Sequence, residues 1–421
     1  MTSRILTSFI PQRQRILHFN WLKAAAWAWL YFTVLGTSEY LRSELQAGWT
    51  DGHLRPFGED FLDFWSASRL ALTGQISAVY DFAAFHAFQV GVVGHEIGLY
   101  HYSNPPVYPL ITAPFALLPY LLAWVVWQTG GWFAFALTLR RIVPRWWGLM
   151  AGAWPAVLPN TLSGQNGCWT AVIVGWGFIL SGKTPFLSGM VFSLLIAKPQ
   201  LIWLLPIALL AGKHWRTLAG FVTGTSTLVL ASLIFFGVAT WQAWLVRAGV
   251  LRHIILEQGV ATWPRMISAF VMVRQAGGSL AVAYGVQIVA ATISLSIVIF
   301  VWRKNVTGPV LAGWRVPCLI FACFTSTPYV NDYDCIMLAF ACGLAWPHAS
   351  RIGRLCLMAA AAVPVAGASS SHLLGFSLAP FMLWPAFIWI TRQCLSSHQR
   401  EAAAASNASS FPAPEALSGV L

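Results

Sequence analysis

Long apolar runs, each interrupted by a short cluster of polar, Gly or Pro positions, recur along most of the chain. A spanning helix needs ~20 apolar residues, fewer where protein covers part of it, so the pattern predicts about twelve crossings and an all-α, polytopic integral membrane protein. The expected spans are 21–38, 107–139 with a break near Pro119, 147–162, 166–181, 185–197, 200–212, 217–237, 278–301, 307–325, 334–347, 352–369 and 373–391. Residues 185–212 read as one long helix or as two short crossings. Pro199 favours two, because it removes a helical hydrogen bond and disfavours helix at Lys198. The basic residues agree. With two crossings, Lys213, Arg216, Arg303, Lys304, Arg315, Arg351, Arg354, Arg392 and Arg400 fall on the inner side, and Arg247, Arg252, Arg265 and Arg274 outside. With one, the sets change sides against the positive-inside rule.

Composition removes the soluble alternatives. Of 421 residues, 57% are hydrophobic and 9% charged, with 23 Trp and 27 Phe. Soluble domains carry roughly 25% charged residues, so the medium around most of this surface is lipid. The net charge of +12 then reports orientation rather than a nucleic-acid partner. The expected organisation is a cytoplasmic segment 1–20 whose following apolar stretch is a retained signal anchor, one membrane domain 21–394, and a low-complexity, disordered cytoplasmic tail 395–421. The location is the inner, plasma membrane, with both termini cytoplasmic. The seven cysteines include no Cys-x-x-Cys pair and read as small buried hydrophobes.

The acids are one-sided. Glu39, Glu44, Asp51, Glu59, Asp60, Asp63, Asp81, Glu96, Glu257, Asp332 and Asp334 fall outside, while Glu401 and Glu415 do not. Acids contribute little to insertion, so polar chemistry is expected in external loops at about 39–106, 238–277 and 326–333. In the first, Asp60 opens a helix-like run in which Phe61, Phe64, Trp65 and Leu72 form one apolar face with Ser68 between, a helix lying at the membrane surface. Asp60 and Asp63 are roughly 5–6 Å apart beside that face. Asp60 could equally be a first-turn acid that stabilises the helix start. His101-Tyr-Ser-Asn-Pro-Pro marks a rigid entry to the membrane, Ser163-Gly-Gln-Asn-Gly an amide-bearing turn, and Asn331, Asp332 and Asp334 a turn that can cap the next helix. Lys198, set in an apolar run, either snorkels to the interface or faces an anion. No phosphate-binding Gly-rich loop, dinucleotide fingerprint or His-Glu-x-x-His motif is present. No cofactor is expected; a divalent cation held by carboxylates is left open by the sequence.

Taken in order, these pieces resemble glycosyltransferase family 87, which includes polyprenyl-phosphate-mannose-dependent α-mannosyltransferases. The resemblance rests on Asp60-x-x-x-Phe64-Trp65, Leu72-Thr-Gly74 with Val79-Tyr80-Asp81, Pro105-Pro106 with Pro114 and Leu118-Pro119, Gln165-Asn166, Gly189 with Lys198-Pro199-Gln200, and Thr327-Pro328-Tyr329 with Tyr333-Asp334. It implies the C-type glycosyltransferase fold, a lipid-linked sugar donor, and Asp60 as the catalytic base, with the acidic Asp63 a departure from the pattern.

The residues suit that chemistry. A sugar donor outside the cytoplasm is carried on a polyprenyl phosphate, whose leaving group is already an anion and needs no general acid, unlike glycoside hydrolysis. One base and one cation suffice: Asp60 to take the acceptor proton, and Lys198, with Arg265 or Arg252, to hold phosphate charge. Direct displacement inverts the anomeric centre. Asp63, Gln165, Asn166 and Asp334 are the candidates for binding sugar. The expected partners are the bilayer, the donor (mannose being the best-known sugar) and a glycan or glycolipid acceptor. The competing reading is a transporter or lipid flippase; against it, no internal repeat is evident and only Lys198 is a mid-depth charge.

Overall fold

The computed structural model describes residues 12–48, 50, 54–260, 262–303 and 313–409, with side chains between 23 and 397. Within them are 17 α-helices and no strand, joined by short 3₁₀ and π turns. Four stretches, Tyr120–Ile142, Trp215–Glu257, Leu280–Arg303 and Arg351–Leu374, are long and apolar enough to cross a membrane. Other apolar helices, among them Val107–Ala116, Gly167–Leu180 and Arg315–Ser326, are shorter. The long apolar helices mark a multi-pass membrane protein.

Proline placement explains most of the segmentation. The break expected near Pro119 separates Val107–Ala116 from Tyr120–Ile142. The expected span 147–162 is instead two helices, Trp147–Ala153 and Val157–Leu162, because Trp154 precedes Pro155 and adopts extended backbone (φ −70°, ψ 122°). Between 185 and 212 the chain breaks where Pro199 predicted it would. Lys198 is non-helical (φ −135°, ψ 66°), between 3₁₀ turns Leu194–Ala197 and Pro199–Leu201, before Leu204–Ala211. The span expected at 334–347 begins as a 3₁₀ turn, Asp332–Met337, and leaves only Leu338–Ala345 as α-helix, too short to cross alone.

Two expectations are corrected by longer helices. The span expected at 217–237 does not stop there: Gly237 turns at φ 77°, and helix resumes through Leu251 and a π turn, Arg252–Glu257. The proline-free residues after Gly237, rich in Ala, Leu and Trp, favour that continuation, and the expected loop 238–277 shrinks to the residues beyond Glu257. Likewise the final helix runs Ala379–Ser409, so the alanine-rich part of the expected disordered tail is helical; residues 410–421, including Glu415, lie outside the described residues. Asp51 and Lys304, and the side chains of Arg400 and Glu401, lie outside them as well.

The core has two main parts, beside a small third cluster of Leu256, Met266, Phe270, Val271 and Ala283. All twelve residues of Arg315–Ser326 are buried, so this helix is enclosed by protein on every side and centres the larger part. Helices Pro185–Ser193 and Trp215–Leu251 meet backbone to backbone, since a Cβ at Gly189 would lie 2.0 Å from Thr217 O and one at Gly220 2.0 Å from Phe186 O. The second part is aromatic: Phe57, Phe61, Phe64, Tyr108, Trp124 and Trp127 pack the first loop onto Tyr120–Ile142. Here the helix Asp60–Leu72 departs from expectation. It buries Leu62, Asp63, Ser66, Ala67 and Leu70 as well as Phe61, Phe64 and Ser68, while Leu72 is exposed. It is therefore enclosed on most sides instead of resting one apolar face on the bilayer surface. Polar contacts lie inside the enclosure, Ser68 Oγ and Thr112 Oγ1 being 2.6 Å apart.

Candidate active site

The site forms where five segments distant in sequence meet. The turn after Val157–Leu162 presses against the start of Asp60–Leu72. Gly164 (φ 62°) is required there, because a Cβ would stand 2.0 Å from Gly58 O and 2.7 Å from Phe61 Cβ. Asn160 holds the turn, accepting from Gly167 N through Oδ1 (2.7 Å) and from Gln165 N through its backbone oxygen (2.9 Å). Thus placed, Gln165 Nε2 donates to Asp60 Oδ2 at 2.6 Å. Asp60 occupies the first helical turn, but its carboxylate bonds the Gln165 side chain and makes no cap hydrogen bond.

The two aspartates have different surroundings. Asp60 is partly buried. Asp63, 6% exposed, is closed off by Gln89, whose Nε2 donates to Asp63 Oδ1 at 2.6 Å. Burial pushes the Asp60 carboxyl above the ordinary carboxylate range; the Gln165 hydrogen bond, Arg265 and Lys198 pull back only in part. Asp63 is pushed well above it by burial and then by the charge of Asp60. Next to Gln165, Asn166 Nδ2 donates to Tyr108 Oη at 2.7 Å, while its buried Oδ1 has no partner among the described residues.

Opposite stand the cations. Lys198, 7% exposed, donates from Nζ to Asp334 Oδ1 at 2.8 Å. Asp334 Oδ2 accepts from Asn331 N at 3.0 Å, so both its oxygens are engaged within the protein and it also closes the turn before the next helix. Arg265 donates to Asp332 from Nε (3.1 Å to Oδ2) and Nη2 (3.0 Å to Oδ1). The Tyr333 ring is near both cations, 4.8 Å from Lys198 Nζ and 5.2 Å from Arg265 Cζ. Arg252 is not brought in: it is exposed and faces Glu257 at 3.5 Å.

Asp60, Gln165, Lys198 and Arg265 are therefore near one another, with Asn166 and Asp334 beside them and Asp63 one turn deeper. Sequence reasoning missed Tyr108 and Asp332 as partners. For Asp332 a signal existed: acids in an external turn facing cations expected on the same side. No group of three or more His, Cys, Asp or Glu suited to a metal ion occurs among the described residues.

Residues 102–327, more than half of the chain, match the model of glycosyltransferase family 87, and the chain belongs to that family. It is thus a glycosyltransferase, acting between a sugar donor and an acceptor. Gln165, Asn166, Lys198 and Arg265 lie inside the matched region, and Asp60, Asp63 and Asp334 outside it. No curated protein and no solved structure matches the chain.

Proposed function

We propose that the protein transfers a sugar, mannose in the first instance, from a polyprenyl-phosphate donor to a hydroxyl of a glycan or glycolipid on the extracytoplasmic side of the plasma membrane, with inversion, on a C-type glycosyltransferase fold. The observation that carries this reading is a carboxylate hydrogen-bonded to a neutral amide, Asp60 to Gln165, in the field of two cations, Lys198 and Arg265. A base with an elevated pKa is stronger for taking a proton in the transition state. Two cations suit a leaving group whose negative charge grows as it departs.

In this mechanism the acceptor oxygen attacks the anomeric carbon from the face opposite the phosphate. The bond from that carbon to the phosphate oxygen breaks, its electron pair stays on the phosphate, and the hydroxyl proton passes to Asp60 Oδ1, while Oδ2 keeps the Gln165 hydrogen bond. Lys198 and Arg265 receive the phosphate charge. Asn166 Oδ1 accepts from a sugar hydroxyl. Asp334 holds Lys198, and Asp63 supports the helix from behind.

The test uses purified protein in liposomes with labelled polyprenyl-phosphate sugars and envelope acceptors. Loss of sugar from one donor, with free polyprenyl phosphate formed by the wild type and not by Asp60→Asn, supports the reading. Intact donors accompanied by movement of lipid or solute across the bilayer would replace it with the transporter.

A further inference from the structure

The Arg265 guanidinium is held side-on. Nε and Nη2 are committed to the two oxygens of Asp332, whose Oδ1 also accepts from Tyr333 N at 2.7 Å. The third nitrogen, Nη1, does not reach Asp332 and stands 4.0 Å from Glu59 Oε2, beside Asp60 in sequence. The supporting backbone is doubly tied. Met266 and Asn331 form an isolated bridge, and Ile267 N donates to Val330 O at 3.1 Å, so the segments carrying Arg265 and Asp332 are fixed to each other without the ion pair. The pair is therefore unnecessary for joining them, and its contribution is the direction of the guanidinium plane. Asp332 is 4% exposed while the Arg265 side chain is 29% exposed, so the clamp is sealed and the guanidinium keeps some access to solvent.

We propose that Asp332 is a positioning residue for donor phosphate: it fixes one edge of Arg265, Nε with Nη2, so that Nη1 points to the side of Asp60 and hydrogen-bonds the phosphate. The proposal rests on the phosphate role given to Arg265 above. It also explains why an arginine stands here. A planar fork can bond a carboxylate along one edge and a phosphate along another, whereas an ammonium has no such fixed direction.

The experiment measures binding of farnesyl phosphate, with farnesol as the uncharged control, to full-length protein in nanodiscs of zwitterionic lipid. Asp332→Asn and Arg265→Lys are each expected to weaken farnesyl phosphate binding at least tenfold, with farnesol binding unchanged. The contrast between farnesyl phosphate and farnesol is the readout that a purely structural tie would not move, because loss of structure would weaken both ligands alike. If Arg265→Ala weakens binding and Asp332→Asn does not, Asp332 has no positioning role, though the phosphate site survives. Wild-type binding by Arg265→Lys overturns the directional argument even if no Asp332 variant folds. If neither Arg265→Ala nor Lys198→Ala changes binding, the phosphate assignment itself falls.

Discussion

The two sides of the site hold charge by opposite means. On one, Asp60 and Asp63 are met by the neutral amides of Gln165 and Gln89; on the other, Lys198 and Arg265 are met by the carboxylates of Asp334 and Asp332. An amide donor steadies a carboxylate without cancelling its charge, so burial still raises its proton affinity. A carboxylate beside a buried ammonium offsets the charge that would otherwise be stranded in a poorly solvated place. The first arrangement favours a group that must gain a proton, the second groups that must remain charged.

Removing Asp60's basicity tests the amide side most severely. Asp60→Asn keeps the shape and an acceptor for Gln165, and is expected to cut transfer by about 10²–10⁴-fold, the usual contribution of a general base. Unchanged thermal unfolding and farnesyl phosphate binding would separate this from misfolding. Full activity in Asp60→Asn with loss in Asp63→Asn would move the base one helical turn.

On the cation side, Lys198→Met leaves Asp334 buried and unpaired, and destabilisation by about 3–5 kcal/mol is expected, read as a lower unfolding temperature. The double variant Lys198→Met/Asp334→Leu should recover part of that stability but no activity. Full stability of the single variant would mean that the pair is not buried in the working enzyme.

A smaller effect separates the basicity of Asp60 from its position. Gln165→Leu removes the hydrogen bond that lowers the Asp60 pKa, so the acidic limb of kcat/KM should move to higher pH while the plateau persists. A limb that stays in place would make Gln165 a spacer.

Asp63→Asn should change least. A carboxyl whose folded pKa is raised contributes stability that is fully present below the unfolded value of roughly 4 and is lost as pH rises through the folded value. Asparagine does not ionise. Thermal stability at neutral pH should therefore match or exceed that of the wild type, with the fall in stability above that range reduced; a steeper fall would show the charge to be stabilising.

Much of this was legible in the sequence where one residue determines local backbone. Pro119 and Pro199 broke the chain where expected, and Asp60 began its helix. Trp154-Pro155 carried the same signal within an apolar run that was read as continuous. Gly237 misled in the other direction, since a glycine interrupts a helix without preventing its resumption. For the site, Lys198 stood out as a charge in an apolar run, Asp60 was indicated by the family resemblance, and Arg265 was left level with Arg252, but pairing depends on long-range packing. Asp332 and Arg265 are 67 residues apart and Asp60 and Gln165 are 105 apart, distances over which periodicity and spacing carry no information.

The bend at Gly237 governs geometry well beyond itself. Trp241 Nε1 bonds Ser232 Oγ across it at 3.1 Å, bracing the elbow, and farther on Trp244 Nε1 bonds Ser103 O and Arg247 Nε bonds Tyr80 O. One rod of this bracket lies in the apolar stretch and the other is fastened to the lobe that carries Asp60. The bracket therefore acts as a spacer: it holds the lobe that carries Asp60 at a fixed offset from the apolar rod that precedes Gly237.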